Sequence, residues 1–312
     1  MRNNKCCETT SNFIFAIGAI TLIDRHTIPL LWKQLRPKQW TKNLLVFAAL
    51  LFSFPLPEFE AVWLAFFGFV AFSFTASSIY ILNDYKDIEA DRHHPLKKMR
   101  PMASGALNPT LALTVGVILF VISVGSAYFF SPLFTLILVI YFMLNVLYSF
   151  TLKHVVIIDI MLIASGFVLR AIGGAVIIHV PFTPWFLLCA MLLSLFLAIG
   201  KRRHEMVLAM ESGSEHRKVL DDYSLPFLDQ LIGIVTSATI VSYAVFTFTA
   251  GATTHLMWTI PFVIYGLFRY LYLVHVKQKG GAPEKVLLED RHILVTVGLY
   301  VISVMTILTL FD

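Results

Sequence analysis

The sequence predicts an all-α integral membrane protein with nine transmembrane helices. Of its 312 residues, 58% are hydrophobic and only 14% are charged, a composition that excludes a soluble protein. Because a membrane-spanning helix needs about 20 apolar residues, this apolar content is sufficient for about nine crossings. The lengths of the apolar runs and the positions of the basic residues support the same number.

Long apolar runs locate each helix along the chain. We place the spans near residues 44–57, 60–82, 110–130, 132–150, 156–179, 183–200, 227–250, 254–275 and 292–311. The earlier run 13–23 is too short to cross a bilayer and lacks an A-x-A-like cleavage site, so we expect it to lie at the membrane interface. We therefore divide the chain into a cytoplasmic or interfacial segment, 1–35, and a transmembrane domain, 36–312.

The basic residues predict how the helices are oriented. Seven Lys or Arg residues precede the first span and fifteen more lie in alternate loops, whereas the intervening turns carry none. The positive-inside rule places the N-terminus and the basic loops in the cytoplasm, and an odd number of spans places the C-terminus outside the inner membrane. Because orientation accounts for the net charge of +5, we predict no nucleic-acid partner.

Four aligned polar residues follow the second span: Asn83, Asp84, Asp87 and Asp91. On a continuous helix the three aspartates, at i, i+3 and i+7, share one face. Clustered carboxylates without thiolate or paired imidazole favour Mg2+. The nearby Arg92 and Arg100 could complement phosphate charge. A solvated acidic helix end beside basic residues that set topology is the alternative interpretation.

Polar residues also mark the loop after the fourth span and the helix that follows it. Tyr148 and Lys153 lie at the loop, and Asp159 and Arg170 are 11 residues apart in the fifth span. Eleven residues are close to three helical turns, so these two side chains project from one face about 16 Å apart. An intramembrane carboxylate and guanidinium are expected to face the bundle interior, either for function or as structural residues satisfied by neighbouring helices.

A third polar group begins the loop after the sixth span. Lys201 and Glu205 are spaced as an i, i+4 pair, and Arg202 is their neighbour. This pattern indicates a cationic cluster with one acid. Basic residues that set topology at a helix end are an equally good interpretation of these residues alone.

Together these motifs resemble the UbiA superfamily of intramembrane prenyltransferases. The resemblance runs through LRPKQWTKN (35–43), NDYKDIEADRHHPLKKMRPMASG (83–105), YSFTLKH with Asp159, and FVLRAIGGA (167–175). It implies helices around a central polar cavity that opens to the cytoplasmic side. It also implies that Asp84, Asp87 and Asp91 hold Mg2+ on a substrate diphosphate, with Asn83 assisting.

One departure separates the chain from the aromatic prenyltransferases of that superfamily. Those enzymes usually carry a second D-x-x-x-D motif after the sixth helix, where this chain has GKRRHEM (200–206). The chain instead resembles the branch that transfers 5-phosphoribosyl from phosphoribosyl pyrophosphate to a polyprenyl (decaprenyl) phosphate in cell-envelope precursor synthesis. Cationic side chains suit the additional phosphates of that donor and acceptor better than a second set of carboxylates.

We hypothesise roles for the other candidate residues. Lys153, with Arg92 or Arg100, would neutralise the departing pyrophosphate. Lys201 and Arg202 would position a phosphate, with Glu205 orienting them. The remaining residues expected to line the cavity are Lys42, Asn43, Tyr148, Asp159 and Arg170. Catalysis would then depend mainly on positioning and electrostatic stabilisation.

Two other functions stay open from the sequence. One is an aromatic prenyltransferase that uses a prenyl diphosphate donor, and the other is a cation-coupled transporter or lipid-binding membrane protein. In the favoured interpretation the polyprenyl tail lies along apolar helices that are open to the membrane lipids. The sequence leaves the oligomeric state open, a homo-oligomer included.

Overall fold

The computed structural model describes residues 25, 27–52, 59–93, 97–181, 183–212, 218–249, 253–278, 280, 286 and 289–311. Every regular element within these residues is helical. The α-helices, numbered in chain order, are α1 (Thr27–Leu35), α2 (Phe59–Lys86), α3 (Ile88–His93), α4 (Pro109–Phe130), α5 (Pro132–Phe150), α6 (Ile158–Ile177), α7 (Pro184–Ser212), α8 (Leu225–Thr249), α9 (Ile260–His275) and α10 (Arg291–Phe311). Tighter 3-10 helices lie at Pro37–Phe52, Lys97–Met99, Leu152–His154, Lys218–Leu220 and Thr254–Thr259.

Eight helices in the described part of the chain are long and apolar enough to cross a membrane. They correspond to the second through ninth predicted spans, so the protein is a multi-pass membrane protein. The spans are Phe59–Lys86, Pro109–Phe130, Pro132–Phe150, Ile158–Ile177, Pro184–Met210, Leu225–Thr249, Thr254–His275 and Arg291–Phe311.

The first predicted span, 44–57, differs from the others. Its described part belongs to the 3-10 helix Pro37–Phe52, and residues 53–57 lie outside the described residues. The interfacial run 13–23 also lies outside them. The ninth crossing, the interfacial run and the central cavity therefore stay predictions.

Local sequence explains where several helices begin. Asn108 precedes α4, and its side chain accepts hydrogen bonds from the backbone nitrogens of Thr110 (2.8 Å) and Leu111 (3.3 Å). Pro109 occupies the first position of that helix, where the missing N–H costs nothing. α5 and α7 also begin at proline. These starts give short connections between consecutive spans.

The chain forms two compact units, Met1–Asn43 with Val70–Phe142, and Leu44–Phe69 with Met143–Asp312. We call them unit 1 and unit 2. The expected boundary at residue 35 stays a prediction. Each unit contains one buried polar cluster.

In unit 1, small polar residues link the helices. Ser78 Oγ donates to the carbonyl of Gly116 at 2.8 Å, and Ser123 Oγ donates to the carbonyl of Ala71 at 2.8 Å. Such bonds allow helices to pack closely in lipid, where apolar burial alone does not hold them together. Helix α1 packs through its leucines against the core that includes Ile81. This contact brings the end of α1 to the end of α2.

In unit 2, α7 packs between α6 and α8 around a core that includes Phe196, Leu228 and Tyr270. Gly174 of α6 lies directly against the backbone of Val46, because a Cβ at that position would be 2.1 Å from the Val46 carbonyl oxygen. The close packing of α6, α7 and α8 places one buried polar cluster among apolar residues.

Candidate active site

The acidic motif forms a compact ionic cluster in unit 1. Asp84, at the end of α2, and Asp91, in α3, are 4% and 3% exposed. Arg100 Nη1 donates to Asp84 Oδ1 at 2.9 Å and to Asp91 Oδ2 at 2.5 Å. One nitrogen therefore contacts both carboxylates, as expected if residues seven apart share a helical face.

Asp87 is half-buried, unlike the buried Asp84 and Asp91. The helix is interrupted at Asp87, between α2 and α3, although the backbone bonds from Asp87 N to Asn83 O (3.0 Å) and from Asp91 N to Asp87 O (2.8 Å) continue the helical path. Within the described residues, no group of three or more His, Cys, Asp or Glu side chains is arranged to hold a metal ion. Arg100 thus brings Asp84 and Asp91 together, and Asp87 as a third metal ligand stays a prediction.

Two residues that the sequence did not single out complete the cluster. Gln34 Nε2 donates to Asp84 Oδ2 at 2.7 Å, and Arg36 Nη2 donates to both Asp84 oxygens at 2.6 and 2.8 Å. Arg36 has a φ of 54° and lies 5.1 Å from the centre of the Tyr80 ring. These contacts join residues 48 to 50 positions apart, so helical spacing could not reveal them. The only sequence signal was that Arg36 falls within the motif LRPKQWTKN.

The donor chemistry of this cluster fits a hard divalent cation. Two carboxylates converge on one cationic nitrogen, and the buried amide oxygens of Asn83 and Gln34 have no hydrogen-bond partner among the described residues. Oxygen ligands of this kind are those that Mg2+ prefers. Asp84, Asp91 and Asn83 are therefore the described residues best suited to hold such an ion, with Arg36 and Arg100 as the charge partners in the structure.

A second polar cluster lies in unit 2, where the guanidinium of Arg202 is fully buried. Arg202 Nε donates to Asp159 Oδ2 at 2.5 Å, its Nη2 donates to the Tyr148 hydroxyl at 3.0 Å, and its Nη1 donates to Glu205. Both Arg202 and Asp159 are 0% exposed. Glu205 thus contacts Arg202, and its role in orienting Arg202 toward a phosphate stays a prediction. The partner of Asp159 is Arg202, from the next helix.

Tyr223 is a member of this cluster that the sequence did not identify. Its hydroxyl donates to Asp159 Oδ1 at 2.7 Å and accepts from the Ile157 amide at 2.7 Å. Burial raises the pKa of Tyr223 well above its usual value, and the hydrogen bond to Asp159 acts in the same direction. The phenol therefore stays protonated at neutral pH and can donate to the carboxylate.

The other candidate residues occupy varied environments. Arg92 is exposed and pairs with Glu89 at 2.6 Å. Asn43 is buried and donates to Ser73 Oγ at 3.0 Å. Arg170 is buried in α6, where its Nη1 donates to the Gly166 carbonyl at 2.6 Å. The half-buried candidates are Lys42, Lys153 and Lys201.

Comparison with known proteins identifies the family. The model of the UbiA prenyltransferase family matches residues 43–289. The chain therefore belongs to the UbiA prenyltransferase family.

Two named relatives match most of the chain. A protein of Mycobacterium tuberculosis named decaprenyl-phosphate phosphoribosyltransferase is 34% identical, covering 83% of this chain and 87% of its own length. A protein of the same name from Corynebacterium glutamicum is 38% identical, covering 83% of this chain and 80% of its own length. The resemblance seen in the sequence is therefore confirmed at the level of the family and of named relatives.

Solved structures give the same fold. A UbiA homolog from Archaeoglobus fulgidus bound to GPP and Mg2+ is similar with a TM-score of 0.68 and 17% identity, covering 90% of this chain and all of that chain. The structure of the same homolog bound to Cd2+ has a TM-score of 0.64 and 15% identity, with the same coverage. At this identity the likeness establishes the fold alone.

Proposed function

We propose that this chain transfers a 5-phosphoribosyl group from phosphoribosyl pyrophosphate to a polyprenyl phosphate of the membrane, releasing pyrophosphate. The observation that carries the proposal is its 34% and 38% identity, over 83% of the chain, to two proteins named for this transfer to decaprenyl phosphate. In the reaction the bond between the ribose C1 and the pyrophosphate oxygen breaks. A new bond joins C1 to an oxygen of the lipid phosphate.

The acidic cluster of unit 1 is proposed to bind the donor diphosphate through Mg2+. Asp84 and Asp91 would hold the ion, with Asp87 as a further carboxylate and Asn83 assisting. When bound, the ion would neutralise the negative charge that develops on the departing pyrophosphate. Arg100 lies against both carboxylates, at 2.9 and 2.5 Å, and is therefore close enough to contact an anion held there. Arg92 and Lys153 would add positive charge to the same leaving group.

The acceptor needs no strong general base, because a phosphate monoester is already anionic near neutral pH. The remaining requirement is to hold two anionic substrates in a reactive orientation, for which positioned cations are suited. We assign this role to Lys201 and to the Arg202 guanidinium, which Glu205 and Asp159 hold in place. Lys42, Asn43, Tyr148 and Arg170 are proposed as further residues lining the substrate site.

The orientation in the membrane follows from the basic loops. We propose a cytoplasmic N-terminus, nine crossings with an external C-terminus, and an active site on the cytoplasmic side of the inner membrane. The loop that carries Arg92 and Arg100 belongs to the basic set that the positive-inside rule places in the cytoplasm. A water-soluble donor would reach the site from that side.

The test is to identify the product. Purified protein with Mg2+ is given either phosphoribosyl pyrophosphate and polyprenyl phosphate, or prenyl diphosphate and 4-hydroxybenzoate, and the product is identified by its intact mass. We expect a phosphoribosylated lipid phosphate from the first mixture and no turnover of the second. Turnover of the second mixture alone would refute the proposed substrates.

Variants test the proposed site. Asp84→Ala and Asp87→Ala should abolish transfer in protein that still folds, because each removes a carboxylate proposed to act on the diphosphate. The control is Asp229→Ala, which removes a surface carboxylate paired with Arg203 at 2.5 Å and His275 at 3.1 Å. That variant should keep its activity. Normal turnover by the first two variants would contradict the metal role.

A further inference from the structure

We propose that Tyr223 is a positioning residue of the transfer reaction, whose hydroxyl fixes both the loop that bears Lys153 and the carboxylate that orients Arg202. This inference rests on the proposed function for its catalytic meaning. Tyr223 lies just before α8 and is 4% exposed. Its hydroxyl has one proton to give and lone pairs to accept, and both capacities are used.

As a hydrogen-bond acceptor, the Tyr223 hydroxyl contacts a strained turn at Ile157. Ile157 has a φ of 68° and a ψ of −45°, a positive-φ conformation that a β-branched residue rarely adopts. Such a conformation persists only where the surroundings stabilise it. A bond from the Ile158 amide to the Val156 carbonyl, at 2.8 Å, closes this turn. The bond from the Ile157 amide to the Tyr223 hydroxyl, at 2.7 Å, adds support from outside the turn, just before α6 begins. It therefore fixes the end of the 151–157 loop, which carries Lys153.

The same loop contacts the Tyr223 segment at a second place. Its short 3-10 helix, Leu152–His154, packs against the 3-10 helix Lys218–Leu220. Tyr223 lies three residues after the end of that helix, and its amide donates to the Leu220 carbonyl at 3.2 Å. The Tyr223 ring also stacks on Phe227, with ring centroids 6.3 Å apart. The segment that carries the Tyr223 hydroxyl is thus held in place by its own contacts.

The Tyr223 hydroxyl also donates to Asp159, whose two carboxylate oxygens have different partners. Asp159 Oδ1 accepts from Tyr223 at 2.7 Å, and Oδ2 accepts from Arg202 Nε at 2.5 Å. With one oxygen fixed by the phenol, the other is aimed at the guanidinium. That guanidinium in turn donates to Tyr148 and Glu205. Loss of the phenol would let the carboxylate rotate and would loosen the whole arrangement.

The test is Tyr223→Phe, which keeps the ring and its stacking and removes only the hydroxyl. The matched control is Tyr243→Phe, also in unit 2, where the hydroxyl is 2.5 Å from Thr259 Oγ1 and donates to Tyr300 at 3.2 Å. Tyr243 is 7% exposed, so both substitutions remove a buried, hydrogen-bonded phenol. The control residue has no proposed role in the reaction.

Two measurements separate positioning from general stability. In Tyr223→Phe we expect kcat to fall by about 10-fold or more, while KM for phosphoribosyl pyrophosphate stays within about twofold. Hydrogen exchange should become faster in peptides covering 151–158. In Tyr243→Phe both kcat and exchange in that loop should match the wild type, even if its unfolding temperature falls equally.

The outcomes distinguish this inference from the proposed function. If wild-type protein does not turn over phosphoribosyl pyrophosphate with polyprenyl phosphate, the proposed function fails, and loop exchange in the two variants still decides whether Tyr223 fixes the loop. Equal kcat values in the two variants would overturn the positioning role. Unchanged exchange at 151–158 in Tyr223→Phe would overturn it as well.

Discussion

The buried ion pair between Arg202 and Asp159 predicts a large and specific loss of stability. In Arg202→Met, a side chain of similar length replaces the guanidinium and leaves the fully buried Asp159 carboxylate with Tyr223 as its remaining partner among the described residues. Removing one partner of a buried pair typically costs about 3–5 kcal/mol, because the remaining charge is not compensated. At about 2–4 °C per kcal/mol, the unfolding midpoint should fall by roughly 6–20 °C.

The matched control is Arg92→Met, which breaks an ion pair with Glu89 whose side chains are 48% and 79% exposed. An exposed i, i+3 pair contributes about 0.5 kcal/mol or less, so this variant should unfold near the wild-type temperature. The assay is thermal unfolding of the detergent-solubilised protein, followed by tryptophan fluorescence. Adding Asp159→Asn to Arg202→Met should restore part of the loss, because it removes the uncompensated charge. Equal midpoints for the two single variants would refute the reasoning.

Two further predictions concern packing and acid stability. Gly174→Ala places a Cβ 2.1 Å from the Val46 carbonyl oxygen and should lower the free energy of unfolding by about 1–3 kcal/mol. In the control, Gly233→Ala, the added Cβ has no atom within 4 Å, so this variant should unfold as the wild type does in the same melting assay. The hydrogen bond from Arg269 holds the pKa of Asp290 below its usual value. The stabilisation that ionised Asp290 contributes is therefore complete above the usual aspartate pKa of about 3.9. This stabilisation is lost as the pH falls through the lower pKa of the folded state. Midpoints measured from pH 7 to pH 3 should fall more for the wild type than for Asp290→Asn, and parallel curves would contradict this assignment.

The sequence predicted those features that depend on spacing within one helix. Eight spans could be located because each is a long apolar run, and Asp84 and Asp91 could be placed on one face because seven residues make nearly two turns. The interruption at Asp87 was missed because no Gly or Pro marks it.

Contacts between distant segments could not be predicted in the same way. Gln34 reaches Asp84 across 50 positions, and Tyr223 reaches Asp159 across 64. Their partners depend on how helices and loops pack, which apolar periodicity does not encode. Asp159 was expected to face the bundle interior, but its pairing with Arg202 follows only from the packing of α6 against α7.

The central claim is that the aspartates at the end of α2 and in α3 hold a divalent cation that binds the donor diphosphate. It is tested most directly by titrating Mn2+, a spectroscopic substitute for Mg2+, into the purified protein with phosphoribosyl pyrophosphate and following bound Mn2+ by electron paramagnetic resonance. We expect saturable binding by the wild type and by Asp229→Ala, and binding weakened at least about 10-fold in Asp84→Asn and Asp91→Asn. Unchanged Mn2+ affinity in both aspartate variants would contradict the claim.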